Sequence, residues 1–368
     1  MKSISKLFGI IALVAIIGFL TAACDDGSGG GNGDGDQPLP AAVGKNEVGG
    51  ETYYYMDTGS SHRMEKIEFS ASASTYTHYT IRFANGGIDR DADGKYKWYI
   101  MGTGIYTWNW DAKTVTLKME KFYAENYYYD NDNDYDVKGL DKAGYKALLT
   151  AQLNDMIKHM KEEQGMTQAQ IDAYIKERLA NMGYSSVSQY IDAMANERFG
   201  NRPQTYSFSN DGKSLFMKPA LPEPKGTDEL AGKTYYGETL HYSGYVYEYE
   251  FDENPTIFKV GEHELYLDKP YFVASYESGY SYKPIVGSYS YDSTRKRVYF
   301  SIEFVGLKTP AEYYETLTND SLYGYINDDA YKAAMTNSVF RPGVFYDDFY
   351  YFSYDPVEKL INRYWWYW

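Results

Sequence analysis

Asp89-Arg90-Asp91-Ala92-Asp93-Gly94 carries carboxylates at alternate positions ahead of a glycine, the arrangement that opens a calcium loop. Oxygens spaced this way converge on one cation once a glycine allows the sharp turn. Asp89, Asp91 and Asp93 are therefore the candidate Ca2+ ligands. The twelfth position, where a glutamate would complete the loop, holds Ile100 in a strand-like run, so a hairpin turn with solvated carboxylates outweighs the metal reading. Asp130, Asp132, Asp134 and Asp136 repeat the spacing with Tyr135 where the glycine would stand. The histidines, His62, His78, His159, His241 and His263, show no metal-ligand spacing, and no nucleophile elbow, phosphate loop or paired-carboxylate motif occurs. The expectation is a protein that binds or holds, not an enzyme, with no resident cofactor. The remaining reactive group is Cys24, the sole cysteine, which excludes an intrachain disulfide.

The position of Cys24 gives it a different chemistry. Lys2 and Lys6 precede a continuous apolar run from Leu7 to Leu20, a charged region followed by a hydrophobic one as in a secretion signal. That run is short for a membrane span of about 20 residues. Leu20-Thr21-Ala22-Ala23-Cys24 resembles the lipobox of bacterial lipoproteins. The resemblance implies that residues 1–23 are a signal peptide, and that Cys24 becomes the lipid-modified first residue. It also implies a lipid-anchored protein of the cell envelope, at the outer membrane or cell surface in preference to the inner membrane. Residues 24–46, rich in Gly and Asp, read as a flexible tether lifting the body clear of the headgroups.

These features must be carried by a body of 368 residues, enough for two domains. Its 43 Tyr, 17 Phe and 6 Trp favour pleated, half-buried surfaces and so a mainly β fold. A formal net charge of -15 argues against nucleic acid, whose binding is driven by neutralising phosphates. Gly104 to Trp110 alternates aromatic and polar residues, turns at Asp111–Lys113, and alternates again to Lys118. The pattern returns at Gly287–Tyr291, the turn Asp292–Lys296 and Val298–Phe304. Gly232-Lys233-Thr234-Tyr235-Tyr236 likewise echoes Gly50-Glu51-Thr52-Tyr53-Tyr54. Between the strands lie helical periods, opened by capping pairs at Thr167/Gln170, Ser186/Gln189 and Thr309/Glu312.

The chain therefore reads as two diverged copies of one β domain. The first is 47–218 with a helical insertion at 141–199, and the second is 227–368 with one at 309–338. They are joined by the proline-rich link 219–226, across which few contacts are expected. Each copy shows about eight strands in up-and-down order, the count that closes a small antiparallel barrel, with helices inserted before its last hairpin. The opening Gly-x-Thr-Tyr-Tyr, the Gly-x-Tyr-x-aromatic strand and its return resemble bacterial lipocalin-like domains. The resemblance implies a barrel around side chains or one small ligand.

The tyrosines at 242, 245, 247 and 249, and at 276, 280 and 282, recur too densely to face one core, so some are expected at the surface. The functional expectation is a small apolar ligand, glycan or protein partner bound through aromatic-rich β domains. The alternative is a structural or adhesive lipoprotein with filled barrels.

Overall fold

The computed structural model describes residues 37–362 apart from 57–63, 82, 85–86, 89, 91, 95, 124–138, 182–183, 239–245, 253–255, 261–262, 268–269, 276–283, 295, 319–327 and 341–350. The fold is mainly β, with two closed barrels and helices.

The first barrel is built from β1 (Thr52–Met56), β2 (Met64–Phe69), β3 (Thr75–Ile81), β6 (Trp98–Asn109), β7 (Thr114–Phe122), β8 (Asn201–Phe208) and β9 (Leu215–Pro219). The small hairpin β4 (Phe83–Ala84) and β5 (Gly87–Ile88) stands apart from it. The second barrel uses β10 (Thr234–Glu238), β11 (Val246–Asp252), β14 (Tyr271–Ser275), β15 (Ile285–Asp292), β16 (Arg297–Val305), β17 (Tyr351–Asp355) and β18 (Leu360–Asn362). A separate hairpin is formed there by β12 (Thr256–Val260) and β13 (His263–Leu267).

Each barrel has seven strands where the sequence pattern suggests eight. In the first copy the runs around Lys95–Ile100 and Gly104–Trp110 fuse into the single 12-residue β6, because Gly102 and Gly104 do not interrupt the extended backbone. In the second copy Thr256–Val260 pairs with β13 and leaves the barrel. The odd count has a consequence for closure. Strands that reverse at every step bring the first and seventh out pointing the same way, so the closing pair is parallel: Tyr53 opposite Leu215, and Tyr236 opposite Leu360. The barrels are thus not wholly antiparallel.

Helices occupy the same place in both copies, between the fifth and sixth barrel strands and before the last hairpin. The first insertion holds α1 (Lys142–Glu162), α2 (Gln168–Asn181) and α3 (Val187–Phe199). The second holds α4 (Pro310–Thr316) and α5 (Asp328–Phe340). Asp141 and Ser186 cap α1 and α3, accepting from the amides of Gly144 and Gln189, and Thr309 with Glu312 forms a reciprocal capping box on α4.

By their contacts, the described residues form two compact units. One gathers residues 37–39, 101–105 and 118–201, the helical insertion with the ends of β6 and β7. Its core joins Met119 and Phe122 to Tyr145, Leu149, Tyr190, Met194 and Phe199. Leu149 and Ile191 are buried, whereas Leu153, Ile157 and Ile175 are half-buried, Leu153 and Ile175 lining a cleft that the three helices leave between them.

The other unit is Pro40–Ile100, Tyr106–Leu117 and Arg202–Trp368, and it holds both copies together. Helix α5 of the second insertion lies against β1 and β9 of the first barrel. Tyr331 and Ala334 pack with Met56, Met64 and Ile81, while Ala333 and Tyr314 pack with Phe216. The proline-rich link therefore does not separate two bodies that lack mutual contacts. Nor does the tether run unpaired to residue 46: the amide of Val43 donates to Trp108 O (2.8 Å) and its carbonyl accepts from Trp110 N (3.0 Å). Lys225 makes the matching bonds to Tyr291 O and Ser293 N.

Candidate functional site

Each barrel carries a matching polar cluster, gathered on two residues just before the repeated Gly-x-Thr-Tyr-Tyr: Asn46 and Glu47 in the first copy, Asp228 and Glu229 in the second. In the first copy Asn46 Nδ2 donates to Tyr106 OH at 2.9 Å, and Asn46 Oδ1 accepts from Gly49 N. Glu47 Oε2 accepts from Lys113 Nζ at 2.5 Å and from Tyr206 OH at 3.2 Å. In the second copy Asp228 accepts from Tyr289 OH at 2.7 Å and from Leu230 N at 2.8 Å. Glu229 Oε2 accepts from Lys296 Nζ at 2.5 Å and from Tyr354 OH at 2.9 Å.

Val48 and Leu230, next in each chain segment, are wholly buried. Lys113 and Lys296 both sit at positive φ, 49° and 54°, in the turn that joins the fourth and fifth barrel strands. Behind the clusters, Phe69 meets Tyr106 edge-on and Phe251 meets Tyr289 in the same way, each pair at 5.0 Å and 80°. Agreement in hydrogen bonds, backbone conformation and ring geometry establishes that the two copies are one fold repeated.

The electrostatics of the two clusters agree. The hydrogen bond from Lys113 pulls the Glu47 carboxyl below its ordinary value, and that from Lys296 does the same for Glu229. Burial, reinforced by the neighbouring carboxylate, pushes the Tyr206 phenol up to about 12 and Tyr354 upward as well. Carboxylate and phenol thus move away from neutrality in opposite directions. Here the carboxylates stay charged acceptors and the phenols stay protonated donors, so each cluster fastens the entering segment to one turn, through Lys113 or Lys296, and to the strands that carry the tyrosines.

Among the described residues a third cluster is found in the first barrel without a counterpart in the second. Tyr55, Glu65 and His78 lie on β1, β2 and β3 at the same inward parity as the core residues Tyr53, Ile67 and Tyr76. Tyr55 OH donates to a Glu65 carboxylate oxygen, which also bonds His78 Nε2 at 2.6 Å, and His78 Nε2 is 3.1 Å from Tyr55 OH. Glu65 is 9 % exposed. Gly237 occupies the position of Tyr55 in the second copy. The trio satisfies a carboxylate inside a barrel, and it presents the three polar side chains there that could meet a ligand.

The second interior is filled differently. Phe300 lies 4.4 Å from Phe272, 5.2 Å from Phe352, 5.7 Å from Tyr249 and 6.1 Å from Phe251, ring centre to ring centre. All are buried.

Of the residues singled out from sequence, Cys24, Asp89 and Asp91 lie outside the described residues, as do Asp130, Asp132, Asp134 and Asp136. Asp93 is exposed in a turn whose Gly94 has φ 77°. Arg90 bridges to Tyr96 across that turn, donates to Gly94 O at 2.6 Å and stacks on the Tyr96 ring, the geometry of a hairpin end. Among the described residues no group of three His, Cys, Asp or Glu is placed to hold a metal ion. His159 pairs with Glu163 on α1, and His62 and His241 are outside the described residues. Tyr249 points into the second core, not to the surface, and Tyr242, Tyr245, Tyr276, Tyr280 and Tyr282 lie outside the described residues.

Sequence reasoning passed over Asn46-Glu47-Val48 and Asp228-Glu229-Leu230, although both stand at the same distance before the repeated glycine. Extending the repeat four residues upstream would have found them. Among the described residues no helix is long and apolar enough to cross a membrane. Comparison with family models, curated proteins and solved structures finds no match to the chain.

Proposed function

We propose that this chain is a non-catalytic, lipid-anchored protein of the cell envelope whose two barrels are solid bodies acting through their outer surfaces, as a structural or adhesive component. The observation that carries the reading is the packing around Phe300. Where a ligand-holding barrel keeps a chamber on its axis, this one holds Tyr249, Phe272, Phe300 and Phe352, at most 2 % exposed. Ring pairs of this kind contribute about 0.5–1.5 kcal/mol each beyond their buried area, so opening a chamber there would be costly. The fastened barrel-end clusters support the same reading, because their groups are tuned to hold and not to transfer protons.

The anchor rests on Cys24 and the apolar run before it. The lipocalin-like assignment rests on the meander that closes on itself and on the repeated opening motif. A second reading, one small ligand inside the first barrel, is favoured by the inward trio Tyr55, Glu65 and His78.

Titration with a fluorescent apolar probe separates the two. Solid barrels give no saturable enhancement, whereas saturable binding that is lost in His78→Ala would displace the structural reading by the ligand-binding one. Cys24→Ala tests the anchor: it removes the acylation site, and each buried methylene of the chains contributes about 0.8 kcal/mol to membrane binding. The variant is expected in the soluble fraction, and its retention on membranes after a high-salt wash would overturn the lipoprotein reading.

A further inference from the structure

The first barrel buries a carboxylate that its fold does not require. Glu65 is 9 % exposed, and taking an ionised carboxylate out of water is costly unless partners offset it. Register fixes the equivalent positions in the second barrel. Tyr55 stands opposite Glu65 as Gly237 stands opposite Tyr247, and His78 stands opposite Ile67 as Ala274 stands opposite Tyr249. Phenol, carboxylate and imidazole are thus all present in one copy, and each is replaced in the other. The second barrel closes without them. A costly group that the fold can do without marks a functional position.

We propose that Tyr55, Glu65 and His78 form a metal site that takes a ferric ion. They stand on three adjacent strands, β1, β2 and β3, on the same side of the sheet. Their donor atoms, Tyr55 OH, Glu65 Oε2 and His78 Nε2, lie no more than 3.1 Å from one another. One ion seated above that triangle reaches all three at the usual metal–ligand length of about 2.0–2.2 Å. The ring of Tyr55 is steadied by stacking on Tyr53, with 5.5 Å between centres. The His78 side chain is 18 % exposed, which gives an ion a way in. Glu65 and His78 alone make a pair, and the phenol is the donor that turns it into a three-point site.

The donor set selects the metal. Imidazole suits zinc, copper and iron, whereas carboxylate oxygen suits the harder ions. A phenol ordinarily titrates near pH 10, so at neutral pH it yields its proton only to an ion of high charge. Ferric iron meets all three demands. With Glu65 ionised and His78 neutral, the phenol proton leaves to solvent as the ion binds, and carboxylate and phenolate offset two of its three charges. Donors on one side leave the remaining coordination positions to water or a small anion, as in a facial triad.

The test is titration of the purified full chain, in mild detergent, with ferric nitrilotriacetate. Phenolate bound to ferric iron gives a visible charge-transfer band that neither shows alone. The band is expected to saturate at one ion per chain, and resonance Raman excited within it to show phenolate modes. Tyr55→Phe keeps the ring and is expected to lose the band, whereas Tyr236→Phe, at an exposed tyrosine, is expected to keep it. His78→Ala is expected to bind at least about tenfold more weakly, since even a group behind a ligand is worth about 10–100-fold. A wild type without the band or without phenolate modes would overturn the proposal, and so would a band that survives in Tyr55→Phe. Zn2+ or Cu2+ that displaces the iron and binds Tyr55→Phe equally well would show a Glu–His pair for a divalent ion, and would overturn the ferric assignment. The Raman spectrum is read on the wild type, so refutation does not depend on a variant folding. Failure here leaves the solid-barrel reading standing, because that rests on the packing around Phe300 in the second barrel and the apolar probe tests it separately.

Discussion

Asn337→Ala is the sharpest probe of how the two copies depend on each other. Asn337 is 2 % exposed on α5. Its Nδ2 donates to Tyr54 O at 2.6 Å and Leu215 O at 3.2 Å, and its Oδ1 accepts from Met217 N at 3.3 Å. All three partners are backbone groups of β1 and β9, beside the single closing pair of the first barrel. One side chain from the second copy thus completes a ladder in the first. Truncation leaves those groups buried without it, and each such loss costs about 1–3 kcal/mol. The losses share one side chain and do not add fully, so about 3 kcal/mol is expected. For a unit of this size that lowers Tm by roughly 6–12 °C. Calorimetry measures it, with the exposed Asn154→Ala on α1 as a control expected within about 0.5 kcal/mol of wild type. Hydrogen exchange should show the Met217 amide deprotected first. A loss below about 1 kcal/mol, with Met217 still protected, would refute the idea that α5 closes the first barrel.

The same logic predicts the outcome of cutting the chain between Leu221 and Lys225: the N-terminal piece unfolds at lower denaturant than the intact chain, and adding the C-terminal piece restores it; equal stability alone would count against the shared unit. His78→Ala should cost about 1.5–3 kcal/mol by removing a partner of the nearly buried Glu65, and urea unfolding of His78→Ala beside Glu65→Gln/His78→Ala tests whether the carboxylate is the group left stranded. Glu229 supplies a pH test. Its folded-state pKa is lowered, chiefly by the Lys296 hydrogen bond, so its contribution is full above its ordinary value of 4.5 and is lost as pH falls through the lowered one. The stability gap between wild type and Glu229→Gln should therefore be constant above about pH 5 and narrow on further acidification; a gap that widens in acid would show the sign to be wrong.

Local pattern alone carried much of this fold. Alternation along Gly104–Trp110 and Val298–Phe304 marks strands because one face of a barrel wall is buried, and side chains change face at every residue. Capping pairs such as Thr167/Gln170 mark helix starts because unpaired amides there need a nearby oxygen, and Thr167 N and Gln170 Oε1 indeed meet at 2.8 Å. The repeat was legible because both copies keep the same turn and opening motif.

Tertiary structure decided what depends on pairs distant in sequence. Whether the runs on either side of Gly102 are one strand or two is set by their neighbours across the sheet, and that choice fixed seven strands and a parallel seam. The destination of Asn337 was invisible, since an asparagine in a helix gives no sign that its partners lie 283 and 122 residues away. Glu65 and His78 read as ordinary polar strand residues until register turned both inward to meet Tyr55. Burial and hydrogen bonding belong to the assembled barrel, and a linear pattern holds the parity of a residue but not the identity of what faces it.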